Sequence, residues 1–249
     1  MEILIVAPLL PLFPLSMVYT TLFGRLTHPW ARAALLLFWP QAGLLALAQT
    51  DANLADGVVV WALASALLYA LRALALREAG LWIAFMAVSC WTLLWLFAAT
   101  PAPRSLLHWQ ALGLSAPLVL LTVLNANIAR RFGAAYAGVS PALAHCAPKL
   151  AGILTLTVLA AVATPLFPGF FILFALVMHT APTTPWAAVA IASVWLLWSW
   201  SGARLIQGLV VGPAGSTPLN DLGTASLWAY GIGLTALGLA GILLAGALL

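Results

Sequence analysis

Charged side chains are almost absent from long stretches of this chain, and this feature limits its possible folds more than any other. Only 6% of its 249 residues are charged, whereas soluble domains carry about a quarter. Apolar runs of about 20 residues or more, long enough to cross a bilayer, lie at 3–22, 31–48, 56–76, 80–100, 106–129, 148–180, 185–208 and 226–248. We therefore predict an all-α membrane protein with about eight transmembrane helices.

Neither the N-terminal residues nor the cysteines indicate a signal peptide or metal chemistry. Glu2 stands where a signal peptide favours Lys or Arg, and no small-residue cleavage site follows, so the first run is expected to be a retained helix. Cys90 and Cys146 form no Cys-x-x-Cys pair. The nine basic residues are spread along the chain and form no patch suited to nucleic acid. We predict lipid as the surroundings, and no metal, cofactor or nucleic-acid partner.

The basic residues predict the orientation of the chain. Run 148–180 is long enough for two short helices or for one span interrupted halfway. Cytoplasmic loops are enriched in Lys and Arg. With one interrupted span, Arg104 alone falls outside, and a single face collects Arg25, Arg32, Arg72, Arg77, Arg130, Arg131, Lys149 and Arg204. We therefore predict one broken span, both termini outside and basic loops in the cytoplasm, most simply in a bacterial inner membrane.

The interruption falls at "TPLFPGF", residues 164–170. Pro165 and Pro168 remove two backbone donors, and Gly169, which precedes Phe170, permits close approach of another backbone. A break inside a membrane must be satisfied by protein or by water. In transporters such breaks often line ion or substrate sites. The alternative interpretation is a simple proline kink packed between helices.

Two stretches near this interruption contain Arg, Pro and Gly in a regular order. The first, "RFGAAYAGVSPALAHCAPKLAGILTLTVLAAVATPLFPGF", has Arg-x-Gly from Arg131, a helix-starting Pro148 and Pro-x-x-x-Gly-Phe from Pro165. The second, "GARLIQGLVVGP", runs from Arg204 to a closing Gly-Pro. In this ungapped order the motifs resemble the antiporter-like membrane subunits of respiratory complex I and of Mrp-type cation/proton antiporters.

The resemblance is clear over residues 105–249 and weak over residues 1–104. Full-length members of that family contain two inverted helical repeats followed by further helices. The chain therefore resembles a truncated member that keeps the second repeat, preceded by a four-helix segment. The resemblance also implies that the broken helix lacks its usual inverted partner, so we expect the backbone near Pro165 to need cover from another chain.

The resemblance implies a proton path along ionisable residues in the membrane, and two of these are replaced here. The family's central lysine corresponds to Leu118, and the ionisable residue that follows the break corresponds to Leu173. Neither leucine can titrate. Ionisable residues inside a membrane usually mark a function, so their replacement predicts that this chain does not conduct protons by itself.

A few polar residues remain as candidates for an ion path. Asn125 and Asn127 either bond across helices or line such a path. His108 and His179 are expected near the outer face, as a proton-passing pair or as plain interfacial histidines. Lys149 is either a loop charge or a channel entrance. In the last span, small residues suited to close helix contact recur at Gly231, Gly233, Gly238, Gly241 and Gly246.

The leading functional hypothesis is an accessory, non-conducting subunit that packs beside a full-length homologue in an energy-coupled membrane complex. The second is a transporter component whose proton or cation path is completed by a partner chain. Respiratory dehydrogenases, membrane hydrogenases, Mrp antiporters and inorganic-carbon uptake complexes are the settings that the resemblance implies. No nucleophile–base set, metal-ligand cluster or phosphate loop favours an independent enzyme.

Overall fold

Helices make up nearly all of the structure. A computed structural model describes residues 2–50, 56–100, 104–133, 135–138, 143–211 and 221–248. Within these residues there is no β-strand, and the helices are α1 (Glu2–Val6), α2 (Met17–Arg25), α3 (Pro29–Ala48), α4 (Asp56–Ala75), α5 (Ala79–Thr92), α6 (Leu94–Ala98), α7 (Arg104–Phe132), α8 (Leu143–Cys146), α9 (Pro148–Ala161), α10 (Pro168–Thr180), α11 (Pro185–Val210) and α12 (Thr224–Leu248). The predicted all-α membrane fold is confirmed.

Among the residues that the structure describes, six stretches are long and apolar enough to cross a membrane on their own: α3, α4, α5 with α6, α7, α11 and α12. The helices α9 and α10 are apolar but shorter. Proline occupies the first turn of α3, α9, α10 and α11. That position needs no backbone donor and suits the fixed φ of proline, so these residues define where the helices begin.

The predicted first span, residues 3–22, is wrong as one continuous helix. The helix α1 ends at Val6 and α2 begins at Met17, and residues 7–16 between them form turns. Three prolines interrupt the backbone ladder in this segment because they carry no N–H group, and these are Pro8, Pro11 and Pro14. The side chains of Leu10 and Leu12 are fully buried there. The described part of the chain therefore contains two broken spans.

The predicted interruption of run 148–180 is confirmed, and it is one broken span. The helix α11 runs past both of its halves in turn. A methyl group at Gly202 would lie 3.2 Å from Val158 Cγ1 in α9. Nearer the start of α11, the Trp195 ring lies 5.4 Å from the Phe170 ring in α10. Since α9 and α10 follow one another along a single neighbour, they do not form a hairpin.

Loops that carry basic residues meet at one end of the bundle. Ala137 N–H donates to the Arg77 carbonyl at 2.8 Å, which joins the segment after α7 to the end of α4. Gly138 N–H donates to the Gly208 carbonyl of α11 at 2.7 Å. An isolated β-bridge between Glu78 and Tyr136 strengthens the first contact. The ends of α4, α7 and α11 therefore share one end of the molecule.

Candidate functional site: two helix breaks and a basic cavity

The first break is satisfied by side chains from helices far along the chain. Phe13 N–H donates to Ser65 Oγ in α4 at 3.0 Å. Three indole N–H groups donate to the carbonyl oxygens of the break: Trp39 to Pro8 at 3.2 Å, Trp95 to Leu10 at 3.1 Å and Trp61 to Phe13 at 2.6 Å. Because backbone groups in a membrane need partners, these donors allow residues 7–16 to stay irregular.

A tryptophan N–H group also satisfies a backbone carbonyl of the second break. Trp195 Nε1 of α11 donates to the Ala163 carbonyl at 3.1 Å. Within the break, Ala163 and Leu166 have positive φ angles of 60° and 92°. Residues other than glycine adopt this left-handed backbone conformation only where the surrounding structure enforces it, at a conformational cost of about 1–3 kcal/mol each. The break is therefore a defined conformation held by its neighbours and not a simple kink.

The last helix covers the other side of this break. A methyl group at Gly241 of α12 would overlap the Leu166 carbonyl oxygen and lie 3.0 Å from the Phe167 carbonyl carbon. A methyl group at Gly238 would lie 3.7 Å from Leu166 Cγ. The glycines let α12 approach the backbone closely. The sequence predicted that the break would need cover from another chain, but α11 and α12 of this chain supply cover.

The two positions that the family resemblance marks as formerly ionisable are apolar core. The side chains of Leu118 in α7 and Leu173 in α10 are both fully buried. They belong to the continuous hydrophobic core of the bundle. At these positions the described structure holds packed hydrocarbon, which cannot exchange a proton.

The two candidate asparagines have different surroundings. Asn127 Nδ2 donates to the Tyr230 hydroxyl at 2.7 Å and thus joins α7 to α12, and its Oδ1 accepts a bond from Arg130. This arrangement matches the interpretation of Asn127 as a bond between helices. Asn125 is half-buried, and its Oδ1 has no partner among the described residues. Asn125 is therefore the asparagine with hydrogen-bonding capacity to spare.

The candidate histidines differ as well. His108 Nδ1 lies 2.6 Å from Gln41 Oε1 of α3, and Gln41 Nε2 donates to the His108 carbonyl at 3.1 Å. This reciprocal pair fixes the start of α7 against α3. His179 is exposed in the last turn of α10. The structure thus assigns a structural partner to His108 and leaves His179 at the surface.

Lys149 takes part in a helix cap through its backbone. Its side chain is exposed, while its N–H donates to Asp221 Oδ2 at 2.8 Å. Asp221 Oδ1 accepts from Leu150 at 3.1 Å and from Leu222 at 2.7 Å. Partial burial raises the pKa of Asp221, but these three N–H bonds and the charge of Lys149 outweigh it, so the pKa lies below its ordinary value of 3.8. The carboxylate joins the start of α9 to the segment before α12.

Replacing Asp221 with asparagine should weaken this cap by about 1 kcal/mol, because an amide keeps only one acceptor oxygen. A group with a lowered pKa stabilises the fold above its unfolded pKa and loses that effect as the pH falls through its folded pKa. The difference in unfolding free energy between the wild type and Asp221→Asn should therefore be constant near neutral pH and shrink only below about pH 4.

Lys149→Ala serves as the control for this measurement, since it preserves the backbone donor. It should change stability much less than Asp221→Asn. Equal losses in the two variants, followed by chemical unfolding in detergent, would contradict the cap.

A cavity of about 550 Å³ opens between the start of α3 and the end of α7. Its walls include Arg32 and Arg130, together with Asn125 and Trp30. No local sequence pattern indicates this cavity, because its two halves are far apart in the chain. Among the described residues, no group of three or more His, Cys, Asp or Glu could hold a metal ion.

The fold and these sites define an integral membrane protein with two broken spans sealed by tryptophan donors. Solved structures contain chains with the same fold. Respiratory complex I from Thermus thermophilus with bound NADH matches with a TM-score of 0.82 and 23% identity over 95% of this chain and 52% of that chain. A membrane-bound sulfane sulfur reductase, an archaeal respiratory membrane complex, matches with a TM-score of 0.83 and 18% identity, over 97% of this chain and 52% of that chain.

The Mrp complex from Dietzia sp. DQ12-45-1b matches with a TM-score of 0.81 and 18% identity, over 96% of this chain and 55% of that chain. This chain therefore spans about half the length of the chains that it matches. No protein-family model and no curated protein matches it in sequence. The likeness in fold predicted from the sequence is confirmed, and it includes the N-terminal segment.

Proposed function

We propose that this chain is an accessory, non-conducting subunit of a multisubunit, energy-coupled membrane complex, in which it packs beside a full-length homologue. Chains with its fold occur in respiratory complex I, a membrane-bound sulfane sulfur reductase and an Mrp complex. The observation that carries the non-conducting role is the burial of Leu118 and Leu173 in hydrocarbon. A proton relay needs groups that change charge in the membrane, and these two positions supply none.

The two breaks support the same proposal. In transporters, irregular backbone at membrane depth commonly lines a cavity for ions or substrate. Here the carbonyls of Leu10 and Ala163 are occupied by Trp95 and Trp195 instead. An occupied carbonyl has one acceptor lone pair fewer to offer a permeating ion. The breaks of this chain thus act as packing features.

A path shared with a partner chain is the second candidate. Gln110 of α7 is almost fully buried, and its Oε1 has no partner among the described residues. Oδ1 of Asn125, further along α7, is also buried and has no partner among the described residues. A buried acceptor costs free energy unless water or another group reaches it. Two such acceptors on one helix favour the interpretation that α7 borders a hydrated path.

The test is transport by the intact complex in native membrane vesicles. His108→Ala, His179→Ala and Lys149→Ala should each leave coupled ion transport within about twofold of the wild type, because none of these side chains lies on a conducting path in an accessory subunit. Gln110→Leu is the informative fourth variant, since it removes an unpartnered acceptor. If any of the four abolishes transport while the complex still assembles, the accessory role is wrong and the shared path replaces it.

The orientation has its own test. We expect both termini outside and the segment after α7 in the cytoplasm. In a variant with Cys90 and Cys146 changed to alanine, a cysteine at the exposed Ala144 should resist an impermeant thiol reagent applied to intact cells, whereas one at the exposed Ala181 should react. The reverse labelling pattern would invert the topology.

A further inference from the structure

The cavity between α3 and α7 has the features of a binding site for an anionic lipid headgroup. Arg32 from the first turn of α3 and Arg130 from the last turn of α7 both line it. None of the described lining residues is acidic. We propose that this cavity binds the phosphate group of an anionic phospholipid. The proposal requires only that the chain lies in a bilayer, and it is independent of whether the chain conducts.

Contacts within the protein hold each guanidinium group in place and use only some of its N–H donors. Arg32 Nε donates to the Leu26 carbonyl at 2.7 Å, and its guanidinium carbon lies 5.1 Å from the centre of the Phe23 ring. One nitrogen of Arg130 donates to Asn127 Oδ1. A guanidinium has five N–H donors, so each arginine retains donors for a phosphate oxygen. Preorganised arginines of this kind suit bidentate recognition of phosphate.

The N-terminus of α3 adds to this positive potential. Thr27, His28 and Pro29 line the cavity, so the first turn of α3 borders it. The first backbone N–H groups of a helix have no partner within the helix, and the helix dipole favours an anion there. The two arginines and the N-terminus of α3 therefore all contribute positive potential to the same cavity.

An apolar surface beside the cavity fits acyl chains. Trp30, at the rim, is 65% exposed, and Phe38, two helical turns further along α3, is 70% exposed. On α7, Val123 and Ala126 line the cavity, and Val119 lies one turn further on the same side. Exposed tryptophan at a span end is typical of the headgroup level of a bilayer. A lipid held by its phosphate would therefore lay its chains along α3 and α7.

One acidic side chain, that of Glu78, lies near Arg32 without lining the cavity. A methyl group at Gly80 would lie 3.2 Å from Glu78 Oε1 and 3.5 Å from Arg32 Nη1, so both side chains border Gly80. Glu78 therefore partly offsets the charge of Arg32. The net charge of Glu78 and the two arginines is positive, which still favours an anion.

Native mass spectrometry of the full chain, with any subunits that accompany it, tests the proposal. Phosphatidylglycerol should bind at least tenfold more tightly than phosphatidylcholine with the same acyl chains. Arg32→Gln and Arg130→Gln should each weaken phosphatidylglycerol binding about fivefold. Since Arg32 also contacts Phe23, its loss can disturb α2, so Arg130→Gln, at an exposed position, keeps the test valid if Arg32→Gln fails to fold.

Two further variants separate the site from general surface charge. Arg204→Gln removes an exposed basic residue of α11 that does not line the cavity, and it should leave the affinity unchanged. Ala129→Trp fills the cavity without changing charge and should abolish the preference for phosphatidylglycerol. Equal binding of the two lipids would overturn the proposal. So would full competition by millimolar inorganic phosphate, which indicates a free-phosphate site, or binding that appears only after a partner subunit is removed.

Discussion

Replacing Gly241 with leucine is expected to detach α12 from the second helix break and to cost about 3 kcal/mol or more of folding free energy. Any Cβ at this position would overlap the Leu166 carbonyl oxygen. The atoms it meets are backbone, so no rotamer change relieves the clash. They belong to a segment whose Leu166 already has a φ of 92°, which leaves little freedom to move. The expected measurements are a lower midpoint of thermal unfolding in detergent and faster proteolysis after α11.

The same helix offers a matched control. A Cβ at Gly231 meets no heavy atom within 4 Å. Gly231→Leu therefore makes the same chemical change in α12 without a steric conflict, and it should raise helix propensity. If Gly231→Leu and Gly241→Leu lower stability equally, close packing of α12 on the break is not the cause.

The second large effect is expected at the first break. Trp95 is fully buried, and its indole N–H donates to the Leu10 carbonyl. Trp95→Phe retains an aromatic ring but leaves that carbonyl without this donor. Leaving a buried polar group unpaired costs about 1–3 kcal/mol, and hydrogen bonds between membrane helices reach about 1.7 kcal/mol. We expect a loss of about 2 kcal/mol from this bond, in addition to the loss of ring volume, measured by unfolding in mixed micelles.

Trp82→Phe separates these two contributions. Trp82 is also fully buried, but its Nε1 has no partner among the described residues. The substitution removes the same volume and, at the same time, a buried donor that lacks a bond. Trp82→Phe should therefore be much less destabilising than Trp95→Phe. Equal effects would mean that volume, and not the bond to Leu10, dominates at Trp95.

Local pattern predicted the parts of this fold that depend on neighbouring residues. Uninterrupted apolar runs located the long helices, and Pro165, Pro168 and Gly169 located the second break. The charge pattern favoured one broken span over two helices, and the positions of Trp195 and Phe170 agree with that choice. These features are visible in the sequence because lipid imposes strong constraints on length and charge.

The first break was missed, although Pro8, Pro11 and Pro14 were a possible signal for it. Prolines in a membrane helix are also compatible with a kink, so the distinction depends on whether distant side chains satisfy the backbone. Trp61 and Trp95 do this from α4 and α6, and no local pattern links them to residues 7–16.

The cap at Asp221 and the cavity at Arg32 were missed for the same reason. Asp221 bonds to the start of α9 from a position 71 residues away in sequence. Arg32 and Arg130 come from opposite ends of different helices. In the sequence, each of these arginines resembles an ordinary basic residue of a loop near a span end. Only the packing of α3 against α7 brings the two arginines to one cavity.

The dependence of residues 7–16 on later helices has a consequence for biogenesis. The segment is synthesised before α3, α4 and α6, so the indole groups that satisfy its carbonyls arrive only when Trp39, Trp61 and Trp95 have been translated and inserted. Until then, the carbonyls of Pro8, Leu10 and Phe13 lack these partners in a bilayer that offers no donors. We expect nascent residues 7–16 to remain at the insertion machinery, in contact with water, until α6 emerges. Release into lipid of a ribosome-bound intermediate truncated before Trp95 should accordingly be slower than release of one that extends past α6.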